Sequence, residues 1–241
     1  MRGSCLAGRG AAVAAVAMLF TGAALAGTIA GTVTYEGKVP NLKPIDMGAD
    51  ANCAKMHKEP QPSDLLVLGP GNTMANIMVH VVSGLPAGKT WPTPKEPVVM
   101  DQHGCHYMPH VFGLMVGQTF KVLNSDGILH NVHALPKVNK PFNMAMPPTV
   151  KESTQTFGKA EGMFMIKCDV HPWMSAYAGV FTDPFFDVTG KDGKFTIANL
   201  PAGTYEIEAW HERLGTQKAT VTVGASDTKT VNFKFSAPGA H

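Results

Sequence analysis

Residues 163–181 read MFMIKCDVHPWMSAYAGVF. Two short runs, MFMIKC (163–168) and YAGVF (177–181), are rich in apolar, aromatic and methionine side chains, as half-buried strands are. Between them CDVHPWM (168–174) must be the connecting loop. Pro172 fixes one backbone dihedral of that loop and helps preset its shape. A loop held at both ends by strands is a common place for a site. Cys168, His171 and Met174 stand three residues apart and offer a thiol, an imidazole and a thioether, the donors a soft metal prefers. The same residue types are also ordinary core side chains.

The passage is typical of the chain. TIAGTVTY (28–35), NIMVHVV (76–82) and TFKVLN (119–124) are further short strand candidates bounded by turn residues. No segment sustains helical periodicity over three turns, although a short helix fits within 45–58. Proline-bearing loops are expected at 84–98 and 136–149. From about residue 182 the texture becomes that of a small sandwich. Asp192-Gly193 signals a hairpin, Pro201-Ala202-Gly203 a turn, and TYEIEAW (204–210) alternates as a half-buried strand should. At roughly 60 residues this tail is near the lower limit for folding alone. The fold class expected is all-β: a Greek-key β-sandwich at 27–181 followed by a small β-sandwich at 182–241. The strand at 28–35 could serve either.

The first residues carry Arg2 and Arg9, then the apolar run AAVAAVAMLF (11–20), then Ala24-Leu25-Ala26 before Gly27. Residues 1–26 are expected to be a cleaved signal peptide, which places the protein in the periplasm or outside the cell. The run is too short to span a bilayer, and no later stretch is long and apolar enough. Loss of Arg2 and Arg9 leaves 18 basic against 18 acidic residues. That balance gives no basic stripe for nucleic acid and no basic helix for a membrane surface.

Cys53, Cys105 and Cys168 remain after Cys5 leaves with the leader. In an oxidising compartment thiols tend to pair, and three is odd. The simplest account joins Cys53 to Cys105 and gives Cys168 another task. A rival reading makes the stretch around Cys53, His57, His103, Cys105, His106 and His110 a second metal site. A further nitrogen donor for the Cys168 loop comes from LNSDGILHNVHALP (123–136), which offers His130 and His133. Two imidazoles, a thiolate and a weak thioether form the trigonal set of a blue-copper centre with its long axial methionine.

HNVH (130–133) followed by CDVHPWM (168–174) resembles the copper-binding pattern of the plastocyanin/amicyanin-like cupredoxins, over about 45 residues. The resemblance implies one type 1 copper held by His130, Cys168, His171 and Met174. Asn131 would pin the cysteine loop, and His133 would be a neighbour. It also implies a non-enzymatic one-electron shuttle, with electrons leaving by an exposed His171 edge beside Trp173. Its partners would be transient redox proteins, a dehydrogenase or a cytochrome. GKFTIANLPAGTYEIEAW (193–210) similarly resembles carboxypeptidase regulatory-like (transthyretin-like) domains, an accessory module that implies no catalysis. Two other functions fit the same residues: a periplasmic carrier of Cu(I), given the excess of Met and His, and a metal-free β-sandwich binding module.

Overall fold

The computed structural model describes residues 26–237. The leader expected at 1–26 therefore lies, apart from Ala26, outside the described residues. The strands in chain order are β1 (Gly27–Glu36), β2 (Met78–Ser83), β3 (Val98–His103), β4 (His106–Met108), β5 (Val111–Met115), β6 (Thr119–Asn124), β7 (His130–Ala134), β8 (Phe142–Met146) and β9 (Glu152–Thr156). They continue as β10 (Glu161–Lys167), β11 (Ser175–Phe181), β12 (Phe186–Val188), β13 (Lys194–Leu200), β14 (Gly203–His211), β15 (Gly215–Val223), β16 (Thr228–Thr230) and β17 (Phe233–Ser236). One α-helix, α1 (Ala51–Met56), falls inside the window read for it. The all-β class and its two sandwiches stand as the sequence indicated.

The first sandwich sets a sheet ordered β5-β11-β10-β7-β8 against one ordered β4-β3-β6-β9. Phe120 and Val122 from one sheet and Phe112, Leu114, Val132, Phe164 and Ile166 from the other meet in one core. Strict alternation along β6 buries Phe120, Val122 and Asn124 and leaves Thr119, Lys121 and Leu123 partly open. β8 lies within the stretch read as the loop 136–149. Its flanking prolines, Pro141 and Pro147, bound a five-residue strand that pairs along the whole of β7, from His130↔Met146 to Ala134↔Phe142. Both prolines lie just beyond the ends of β8, where they take no ladder hydrogen bond away, so they delimit this strand and do not prevent it.

The boundary expected between residues 181 and 182 is not where the second sandwich begins. β1 pairs with β13, β16 and β17, and β2 lies between β12 and β14. Ile29, Val33, Ile77 and Val79 share a core with Phe195, Ile197, Tyr205 and Ile207. The tail thus completes its two sheets with strands from the N-terminal third, and the first sandwich is an insertion between β2 and β12. The physical reason is area: so short a segment buries too little apolar surface alone, and two more apolar strands supply it.

The two sandwiches meet along β5, β11, β12 and β14. The Phe181 and Phe186 rings lie 4.7 Å apart, and Tyr177 packs on Trp210 at 5.2 Å. A Cβ at Gly113 would sit 2.6 Å from the Phe186 ring, so this approach requires glycine. His110 spans the junction. Its Nδ1 is 2.9 Å from the Ser175 carbonyl and its Nε2 2.6 Å from Glu212 Oε1. Both partners are acceptors, so the ring is held as imidazolium. Burial pulls its pKa down, but the bond and charge of Glu212, with Asp64 behind, carry the net shift upward. Tyr177 covers the ring from β11.

A histidine whose pKa rises on folding stabilises fully below its unfolded value, about 6.5, and that contribution disappears as pH climbs through the higher folded value. Glu212→Gln is therefore expected to cost about 2 kcal/mol at pH 6, as loss of a hydrogen bond to a charged group does. The cost should shrink as pH rises. Thermal unfolding of wild type and variant across pH 6 to pH 9 checks this; a pH-independent difference would count against it.

Candidate metal centre

β7 and β10 run antiparallel with Ile166 opposite Ala134 and Lys167 opposite His133. The next step of β10 therefore brings Cys168 back along β7 towards Asn131 and His130. The loop 168–174 closes on itself: Cys168 N–H donates to the Met174 carbonyl at 3.1 Å, and Met174 N–H to the His171 carbonyl at 2.9 Å. His171 is thereby folded over Cys168.

His130, Cys168 and His171 each present one ligand atom, all within 4.8 Å of one another, and all three are buried. The two Nδ1 atoms face each other at 2.9 Å, and Cys168 Sγ lies 3.8 Å from His171 Nδ1. The outer nitrogens are bound elsewhere. His130 Nε2 is 2.9 Å from Asp126 Oδ2, and His171 Nε2 is 3.1 Å from Asp50 Oδ2. Ionised carboxylates only accept, so each Nε2 carries a proton and points out of the site, while each Nδ1 faces into it. Two facing nitrogens and a sulfur converging in a buried space need a positive charge between them, a shared proton or a metal cation. This is the observation on which the donor set fits a soft metal ion.

Electrostatics point the same way. Burial raises the Cys168 thiol, but the His130 ring and the backbone N–H groups of Asn131, His171 and Val170 outweigh it and bring the pKa down to about 6. Burial lowers the His130 imidazole, yet the Asp126 carboxylate and the Cys168 sulfur carry it up to about 9. The site thus already favours a thiolate beside a positive centre. Tyr107 O–H donates to the Asn131 carbonyl, and its phenol is pushed up by burial and by the nearby Cys168 sulfur.

Asn131 stands behind the cysteine. Its Oδ1 accepts the Asp169 N–H at 2.6 Å and the Cys168 thiol at 3.3 Å, and its Nδ2 donates to Asn143 at 2.6 Å. His133 turns away and pairs with Asp169 at 2.9 Å. Met174 is 1% exposed within the first core. Trp173 is half-buried, 5.2 Å from the His171 ring, and donates to the Cys105 carbonyl at 3.2 Å.

One expectation fails here. The edge of His171 was expected to be exposed, but the residue is only 1% accessible. Asp50, at the N-cap of α1, covers it. Neither Asp50 nor Asp126 was singled out in the sequence. Asp126 lies four residues before His130 in SDGILH, a spacing that reads equally well as a turn.

Cys53 and Cys105 form a disulfide with Cα atoms 5.7 Å apart. Cys168 is the free cysteine among the described residues. The neighbouring histidines have separate partners: His57 Nε2 lies 2.7 Å from the Gly104 carbonyl, His106 Nδ1 lies 3.2 Å from Asp64, and His110 is paired with Glu212.

Residues 185–236 match the carboxypeptidase regulatory-like domain family, as the tail's resemblance implied. No curated protein sequence matches the chain. Similar solved structures include a copper-containing nitrite reductase from Thermus scotoductus SA-01, at 22% identity and TM-score 0.32, covering 42% of this chain and 26% of that one. A reduced mutant of amicyanin matches at 22% identity and TM-score 0.32 over 43% of this chain and 98% of its own. A purple cupredoxin from Nitrosopumilus maritimus matches at 21% identity and TM-score 0.29 over 34% and 98%. Among the described residues, no helix is long and apolar enough to cross a membrane.

Proposed function

We propose that the chain is a periplasmic type 1 copper protein that passes single electrons between redox proteins and catalyses no reaction of its own. The observation that carries this reading is the convergence of His130 Nδ1, His171 Nδ1 and Cys168 Sγ in one buried space. His130, Cys168 and His171 would hold the ion, with Met174 as the weak fourth ligand. Copper, when bound, supplies a one-electron couple for which this mixed soft set suits both oxidation states.

The protein's own residues do the rest. Cys168 would offer an anionic sulfur, favoured by the His130 ring and by the backbone N–H groups of Asn131, His171 and Val170. Burial of all three donors excludes water and limits rearrangement of the ligands. The short 168–174 loop, closed by two backbone hydrogen bonds, holds His171 and Cys168 in fixed relation. Partners, whether a dehydrogenase or a cytochrome, would dock transiently over a small area, as redox encounters do.

Loading with Cu(II) is the direct test. An intense visible thiolate-to-copper absorption, lost on reduction, is expected, together with the paramagnetic-resonance signature of a Cu–thiolate. A colourless Cu(II) form would overturn the reading. A Cu(I) carrier is a second reading, supported by one feature: a cavity of about 720 Å³ beside Asp126, lined in part by Met56, His57, His103, His106, Met108 and His110. A carrier would surrender its copper quickly to a chelating acceptor, whereas an electron shuttle would retain it through many redox cycles.

A further inference from the structure

Two aspartates from distant parts of the chain stand behind the two imidazoles. Asp126 Oδ1 accepts the Gly104 N–H at 2.5 Å, and its Oδ2 accepts the Cys105 N–H at 2.8 Å as well as His130 Nε2–H at 2.9 Å. Gly104 and Cys105 have φ of 62° and 56°, a left-handed pair that turns both amides towards this one carboxylate. Asp50 divides its oxygens differently. Oδ1 caps α1 by accepting Asn52 N–H at 2.7 Å, and Oδ2 accepts His171 Nε2–H at 3.1 Å. The Asp126 side chain is 2% exposed and that of Asp50 29%.

The two carboxylates are mechanically joined. α1, which Asp50 caps, carries Cys53. Cys53 is bonded to Cys105, whose amide Asp126 accepts. The Cys105 carbonyl in turn receives the indole N–H of Trp173, whose ring lies against His171. A closed collar of Asp50, α1, the disulfide, Asp126 and Trp173 therefore surrounds the outer edges of both rings.

We propose that Asp50 and Asp126 are positioning residues of the metal centre: they hold both imidazoles with Nε2 protonated and Nδ1 turned to the ion, and their negative charge favours Cu(II) over Cu(I). Asp50 also shields the His171 edge. The inference rests on the reading of His130, Cys168 and His171 as copper ligands. Its physical basis is that a carboxylate bonded to a ligating histidine fixes the tautomer and raises ligand basicity. A fixed negative charge nearby also favours the more highly charged state of the ion.

The experiment uses full-length copper-loaded protein and measures the reduction potential of wild type, Asp50→Asn, Asp50→Ser and Asp126→Asn. Asp50→Ser keeps a capping oxygen for α1 while removing the charge and the reach to His171, so it separates the helix cap from the contact with the ring. Each variant should lose about tenfold in affinity for Cu(II) relative to Cu(I), the lower end of the effect seen for such outer partners. A tenfold loss is a potential about 59 mV more positive. Potentials unchanged in both Asp50 variants would overturn the assignment of Asp50, and an unchanged potential in Asp126→Asn that of Asp126. Nitrogen-15 NMR of the Cu(I)-loaded wild type needs no variant: Nε2–H on both His130 and His171 is expected, and a proton on either Nδ1 would overturn the proposal. Failure of the copper reading itself would appear separately, as a wild type with no thiolate absorption.

Discussion

Cys168→Ala is expected to abolish the visible absorption of the copper-loaded protein while leaving the chain folded. Cys168 is the free cysteine among the described residues: 2% exposed, 3.8 Å from His171 Nδ1, with its pKa brought down to about 6. Charge transfer from thiolate to Cu(II) needs that sulfur, and neither His130, His171 nor Met174 can replace it. The cost to the metal-free fold should be about 1 kcal/mol, as for a modest core truncation. The copper-dependent gain in stability should fall much further, because an ion that binds only the folded state adds about 2.7 kcal/mol at a hundredfold excess over Kd. Thermal unfolding with and without copper, beside the absorption spectrum, checks both halves. A variant that keeps its colour would remove Cys168 from the site. A variant that keeps its copper-dependent stabilisation without colour would favour the carrier.

Removal of the Cys53–Cys105 bridge should have the largest effect on stability. The two residues are 52 apart in sequence, and closing a loop of that length is worth about 4 kcal/mol in the chain-entropy treatment. Against a typical stability of about 5–15 kcal/mol this is a major share. For a chain of this size it corresponds to a fall in Tm on the order of 10 °C. Both cysteines are fully buried, so Cys53→Ala/Cys105→Ala also leaves unfilled space. Urea unfolding of the double variant, and of wild type with and without reductant, measures the loss. A cost below about 1 kcal/mol would mean that α1 is held by its other contacts and that the bridge adds little beyond them.

Much of the site was legible locally. CDVHPWM lies between two strands, as the runs MFMIKC and YAGVF indicated, and the odd cysteine count separated Cys168 from the bridged pair. Asn131 Oδ1 faces Cys168 Sγ and the Asp169 N–H, and His133 pairs with Asp169. What escaped was non-local. The cover on His171 comes from Asp50, 121 residues earlier in the chain, and an aspartate before a short helix reads as a cap whether or not its second oxygen reaches a distant ring. β8 was hidden because its prolines read as loop signals until β7 provides a ladder beside it. The N-terminal strand was left open between the sandwiches, since alternation along TIAGTVTY states that one face is buried without stating against what.

The order of side-chain chemistries along the polymer decided the class of fold and the kind of donors on the loop: alternating apolar positions make strands, and Cys168 and His171 place sulfur beside imidazole. Both properties are carried by neighbouring residues and survive reading one segment at a time. Which strands share a sheet, which carboxylates stand behind His130 and His171, and whether the second ring meets solvent were decided only when the chain closed on itself. Those outcomes depend on apolar area that no single segment can bury and on hydrogen-bond partners separated by much of the chain. For that reason the first sandwich came to be inserted in the second, and the His171 edge came to be closed by a disulfide-tethered helix.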